Sequence, residues 1–117
     1  MMNQRELRAY YEKKAKLREA VLTLEGLREY AAQGVPGLDA EIAGMEQETQ
    51  ATAAELDAEG ERVLSTLAAA EDTVCRVMMI MHFYRGLTWK EIGELCGLSL
   101  YAAQNRTLRA MRKAIPK

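Results

Sequence analysis

At 117 residues the chain is long enough for one domain, or for one small module with an extended appendage. Ala, Glu, Leu, Arg and Met dominate, β-branched residues are sparse and only two prolines occur, so the composition favours helix nearly everywhere. A net charge of −1 hides a polarity: residues 1–75 carry eight Lys/Arg against fifteen Asp/Glu, and residues 76–117 carry eight against two. The first part is −7 and the second +6, which suggests two parts with different partners and makes the basic part a candidate for phosphate contact.

The N-terminus runs straight into charged helix, and no apolar run approaches the roughly 20 residues of a bilayer span, so a protein of the bacterial cytoplasm is expected. Cys75 and Cys96 have no CxxC partner and read as buried thiols. There is no P-loop, no paired acid and base, and no metal-ligand spacing, so the expectation is a binding protein without cofactor or metal rather than an enzyme.

In chain order, the first predicted helix covers about 3–33. Its apolar stripe, Leu7, Tyr10, Leu17, Val21, Leu24 and Ala31, recurs by threes and fours. Gly34, Val35, Pro36 and Gly37 stop it. A second, weaker stripe follows at Leu38, Ile42, Met45, Thr49, Thr52, Leu56, Val63 and Ala70, interrupted by Glu59. Two long helices around a short turn pair most simply as an antiparallel coiled-coil hairpin spanning 1–67. The threonines make the second stripe a poor partner for the first. A homodimer through residues 3–70 is therefore expected, with a spacer or docking arm as the other reading.

Gly60 and the run Ala68 to Ala70 suggest bends before a C-terminal module at 68–117. A helix at about 71–84 places Val74, Val77, Met78, Met81 and Tyr84 on one face, and His82 reads as a packing or surface residue. The stretch from Gly86 to Ser99 then carries the strongest local signals. Thr88 and Glu91 form a capping box, Ile92 and Leu95 give the short helix an apolar side, and Gly93 permits a close approach. Gly97 supplies the turn, Leu98 plugs the core and Ser99 caps a new helix at 99–115. Together these make a helix-turn-helix.

On the last helix Ala103, Thr107, Ala110, Met111 and Ala114 should pack inward. Tyr101, Asn105, Arg109 and Arg112 face out, flanked by Gln104 and Arg106. Asn and Gln on the first turns can pair with adenine edges in the major groove, while the arginines suit phosphates.

The run from Tyr84 to Ala114 resembles region 4 of bacterial sigma factors. The resemblance is carried by GLTWKEIGELCGLS at 86–99, then by Arg106, Arg109 and the ending from Ala110 to Ala114. With a long helical hairpin in front, the chain is similar to phage and prophage late-gene regulators of the RinA/ArpU type. The resemblance implies base reading by Leu100, Tyr101, Gln104 and Asn105. Lys90, Arg106, Arg109, Arg112 and Lys113 remain for the phosphates. The chain departs from the pattern at Ala103, where a branched apolar residue is usual, and at Leu100, where a polar one is.

The expected function is a sequence-specific, phage-encoded transcription regulator acting on double-stranded DNA, with RNA polymerase as a further partner. Two alternatives stand beside it: a DNA-packaging factor of the small-terminase kind, and a helical interaction module for RNA polymerase or a sigma factor.

Overall fold

The structure, a computed structural model describing all 117 residues, is all-helical. Two helices of 29 residues come first, α1 (Gln4–Ala32) and α2 (Asp39–Leu67). The shorter α3 (Thr73–Met79) runs directly into a π-helical turn (Ile80–Tyr84) and is followed by α4 (Trp89–Cys96) and α5 (Leu100–Ala114). No helix is long and apolar enough to cross a membrane.

Local chemistry accounts for the ends of the long pair. Asn3 accepts a hydrogen bond from the Glu6 amide, and the Glu6 carboxylate accepts one from the Asn3 amide. This capping box satisfies two donors that the first turn would otherwise leave open. Between the helices Gly34 and Gly37 adopt φ of +94° and +80°, a left-handed conformation that costs glycine little. Ion pairs then join Glu6 to Arg62, Lys13 to Glu55 and Arg28 to Glu46. Partner numbers fall along α2 as they rise along α1, so the two helices lie side by side and run in opposite directions. All three pairs are well exposed and contribute little energy.

Burial along this pair is uneven. At its base Leu7 and Tyr10 of α1 meet Leu56, Val63 and Leu67 of α2, all essentially inaccessible. Farther out only Leu24 and Thr49 are fully buried, and Val21, expected in the seam, is exposed. Thr49 returns its hydroxyl to the Met45 carbonyl at 2.8 Å, which makes its burial inexpensive. Gly60 marks no bend. It lies buried inside α2, where the Tyr84 ring comes within 3.4 Å of the position a Cβ would take.

The base of the pair is also where the rest of the chain attaches. One core joins Met2, Leu7 and Tyr10 to Leu56, Val63 and Leu67, and then to Met79, Phe83, Met111 and Ile115. The sequence boundary between residues 67 and 68 thus falls within a shared core. A smaller cluster of Cys75, Met78, Leu87, Ile92 and Ala103 holds α3, α4 and α5 together. Both ends of the chain are pinned here. The Met2 amide donates to the Thr66 hydroxyl at 2.9 Å, and Gln4 donates from its amide to the Pro116 carbonyl and from its side chain to the Ile115 carbonyl.

The helix at 71–84 ends in a π turn and buries a different face from the one expected. The Arg85 amide bonds the Ile80 carbonyl, five residues back, and the Leu87 amide bonds that of Met81. Such a turn accommodates one extra residue at the end of the helix, while the buried face before it keeps the ordinary spacing of threes and fours, one residue round from the expected one. Val74 and Val77 are exposed, at 51% and 43%, whereas Cys75, Met78, Met79, His82 and Phe83 are buried. Met78 and Met79 therefore fill cores rather than present a partner surface.

Candidate nucleic-acid interface

The site is built on α4, the turn at Gly97 and α5. At the start of α4, Thr88 accepts from the Glu91 amide and Glu91 from the Thr88 amide, the capping box expected from the sequence. Gly97 ends the helix at φ +69°. The turn crosses so closely that a Cβ on Gly93 would stand 2.6 Å from the Leu98 carbonyl oxygen. Only glycine fits there without a shift of backbone. Ser99 then caps α5 by accepting from the Ala102 amide at 3.1 Å. Leu95, expected on the apolar side of α4, is 65% exposed; Ile92 alone supplies a fully buried anchor on that helix.

On α5, Ala103, Thr107 and Met111 are completely buried, and Ala110 and Ala114 are half-buried. The Thr107 hydroxyl donates to the Ala103 carbonyl at 2.7 Å, so a polar group sits in the core without an unmet hydrogen bond. With that side fixed, the opposite side is determined. Tyr101 is 73% exposed, Leu100 and Asn105 are exposed, and Gln104 is half-buried at the flank. Arg106, Arg109, Arg112 and Lys113 are all exposed. Tyr101, Asn105, Arg109 and Arg112 recur at helical spacing and form one stripe along α5. Lys90 is exposed as well but stands apart, on the first turn of α4.

The cations of this part form no ion pair. Every one of the molecule's four ion pairs uses a cation of α1 or α2. No Asp or Glu occurs after Glu94. Arg112 and Lys113 stand in the last turn of α5, where cations complement the helix dipole, but Arg106 and Arg109 lack that reason.

Two features that support the site from beneath are not signalled locally in the sequence. Arg18 of α1 donates two hydrogen bonds to the Glu91 carboxylate, both at 2.9 Å, and a third to the Gly86 carbonyl at 2.8 Å. Those bonds from Arg18, with that from the Thr88 amide, hold the Glu91 carboxyl down to about 2. One carboxylate thus caps α4 and ties it to the long helix 73 residues away in sequence. Both side chains remain over a third exposed, so the pair is worth about 1 kcal/mol at most. Its importance is geometric.

The second feature is a column of rings. His82 lies between Tyr11 of α1 and Trp89 of α4, at centroid distances of 3.9 and 3.6 Å and nearly parallel to both. Phe83 meets it edge-on at 4.9 Å. Nδ1 of His82 donates to the Leu87 carbonyl at 2.8 Å. Burial lowers the imidazole to about 4, against the smaller opposing effect of that hydrogen bond, so the ring is neutral at pH 7. His82 is a packing residue in this setting.

No family model matches the chain, and neither does any curated protein or solved structure.

Proposed function

We propose that this chain is a sequence-specific DNA-binding transcription regulator, phage-encoded and of the RinA/ArpU late-gene type, in which α4, the Gly97 turn and α5 form a helix-turn-helix. One observation carries the reading: α5 bears no acid and presents all four of its cations on its free face, behind polar and aromatic residues on its first turns. Leu100, Tyr101, Gln104 and Asn105 would meet base edges, with Asn and Gln suited to adenine and Leu100 to a thymine methyl. Arg106, Arg109, Arg112, Lys113 and Lys90 would hold phosphates and fix the register. In the same reading α1 and α2 form a coiled-coil hairpin that carries the head and pairs two copies of the chain, so that two heads act together. RNA polymerase is the further partner of this proposal.

A second reading has a specific observation in its favour. Leu95, Leu100 and Tyr101 are all exposed where α4 ends and α5 begins, which suits a protein partner as well as a groove.

Binding of the full chain to duplexes selected from a randomised pool separates the two. On the DNA reading, the contacts made by residues 68–117 alone, about four to six, give log affinity against log salt a slope of roughly −4 to −5. Gln104→Ala or Asn105→Ala relaxes base preference at one or two positions and costs about 1–3 kcal/mol on the best site. Arg109→Ala and Arg112→Ala weaken all duplexes alike. A slope near zero, or no binding to any duplex, overturns the DNA reading and favours the protein partner.

A further inference from the structure

The end of α5 and the start of α1 meet in an open cleft that brings together four cations from opposite ends of the sequence. Arg5 and Arg8 line it from α1, Arg112 and Lys117 from the C-terminal segment. Glu12, one turn beyond Arg8, is the single acidic side chain among the lining residues. The juxtaposition is fixed by backbone and not by the long side chains. The Gln4 amide donates to the Pro116 carbonyl at 2.9 Å, and the Gln4 side chain donates to the Ile115 carbonyl at 2.8 Å. Those two bonds hold the first turn of α1 against the residues that follow α5.

The fold gains little electrostatically from this arrangement beyond the favourable place of Arg112 in the last turn of α5. None of the four cations makes an ion pair, although Glu12 is close in sequence to Arg8. None donates a hydrogen bond to another side chain or to a distant carbonyl, and Arg5, Arg8, Arg112 and Lys117 are all exposed. Arg5 stands in the first turn of α1, where the helix dipole is positive and a cation is unfavourable. Four like charges against one acidic side chain that pairs with none of them create a local positive potential that an anion would relieve. The cleft is continuous with the stripe that ends at Arg112, so the same anion can extend along both.

We infer that the start of α1 is a second phosphate-contact site, at which Arg5 and Arg8, with Arg112 and Lys117, hold the DNA backbone beside the segment that α5 reads. The inference rests on the DNA reading above and lengthens its footprint. It also gives the otherwise acidic long pair a direct part in binding, through its two most N-terminal arginines.

The test is duplex binding by the full chain and by its Arg5→Gln/Arg8→Gln variant across a salt series. Losing two phosphate contacts should make the slope of log affinity against log salt shallower by about two. Base preference in a selected duplex should stay as in the parent. Glu12→Gln, which removes the facing carboxylate, should tighten binding to every duplex. Neither arginine is bonded within the fold, so the double variant should melt like the parent, and a circular dichroism melt checks this. An unchanged slope and affinity, while Arg109→Ala still weakens binding, overturns this inference and leaves the DNA reading standing. A parent chain that binds no duplex overturns both. Altered base preference in the double variant, with an unchanged slope, would place the arginines among the base readers and also sink the proposal.

Discussion

The outer half of the long helix pair and its base are built from the same two helices, yet they are held in different ways. At the base Leu7, Tyr10, Leu56 and Val63 share one core with residues from outside the pair, including Met79, Phe83, Met111 and Ile115. Beyond them, full burial falls to Leu24 and Thr49, and an open groove lined by Leu17, Met45, Thr49 and Thr52 runs between the helices. Two helices alone can cover only one stripe of each other, and a third layer is needed to close a core. The stable part of this molecule is accordingly the junction, and the outer half projects from it as an arm in a shape 52 Å long and 17 Å thick.

The largest effect should come from breaking the junction. Phe83→Ala empties a fully buried site in the shared core and should cost about 3–5 kcal/mol, a large share of the roughly 5–15 kcal/mol typical of a domain. Urea unfolding followed by circular dichroism should show one transition at lower denaturant. A loss below about 1 kcal/mol, or two separate transitions, would mean that the helices of the base are not one unit.

Acid should act on the same junction. His82 takes up a proton at about 4 in the folded chain and near 6.5 when unfolded, so the unfolded state binds more protons between those values. Its stabilisation is complete above pH 6.5 and is lost as pH falls to 4, on the order of 3 kcal/mol. Glu91 acts in the same direction lower down: its contribution is present above the usual carboxylate value and disappears toward pH 2. Unfolding free energies at pH 7, 5.5 and 4.2, compared with those of His82→Phe, measure the histidine's part. Identical pH profiles for the two proteins would contradict it.

The smallest effect should come from the arm. Leu24→Ala should cost about 2 kcal/mol, at the low end for a buried leucine, because the surrounding helix can open locally without disturbing the base. Amide exchange should quicken across 17–52 while α5 keeps its protection. Equal acceleration in α5 would show arm and junction to be a single cooperative unit.

How far the sequence could be read follows the same division between local and distant causes. The capping box at Thr88 and Glu91, the left-handed Gly97 and the cap at Ser99 are written within a few residues, and the structure contains each. So are the buried Ala103, Thr107 and Met111, which follow from helical period alone. The exposure of Val74 and Val77 was not legible, because Cys75, Met78, Met79 and His82 recur at the same helical period one residue round, and only packing against distant elements decides between the two faces. Gly60 reads as a break in isolation, and its use as a slot for the Tyr84 ring depends on a residue 24 positions away. Arg18 and the Arg5–Arg8 pair look like ordinary solvated charges on an acidic helix until the chain's two ends are brought together.

The ring column has an optical consequence. Trp89 is the sole tryptophan, and it is clamped face to face on an imidazole that is itself clamped on Tyr11. Chromophores fixed so closely in a chiral setting give near-ultraviolet dichroism that vanishes when packing loosens, even where helix content survives. The chain therefore carries its own label at the point where α1, the π turn and α4 converge. Light absorbed there reports on the seating of α4 against α1, with no dye attached.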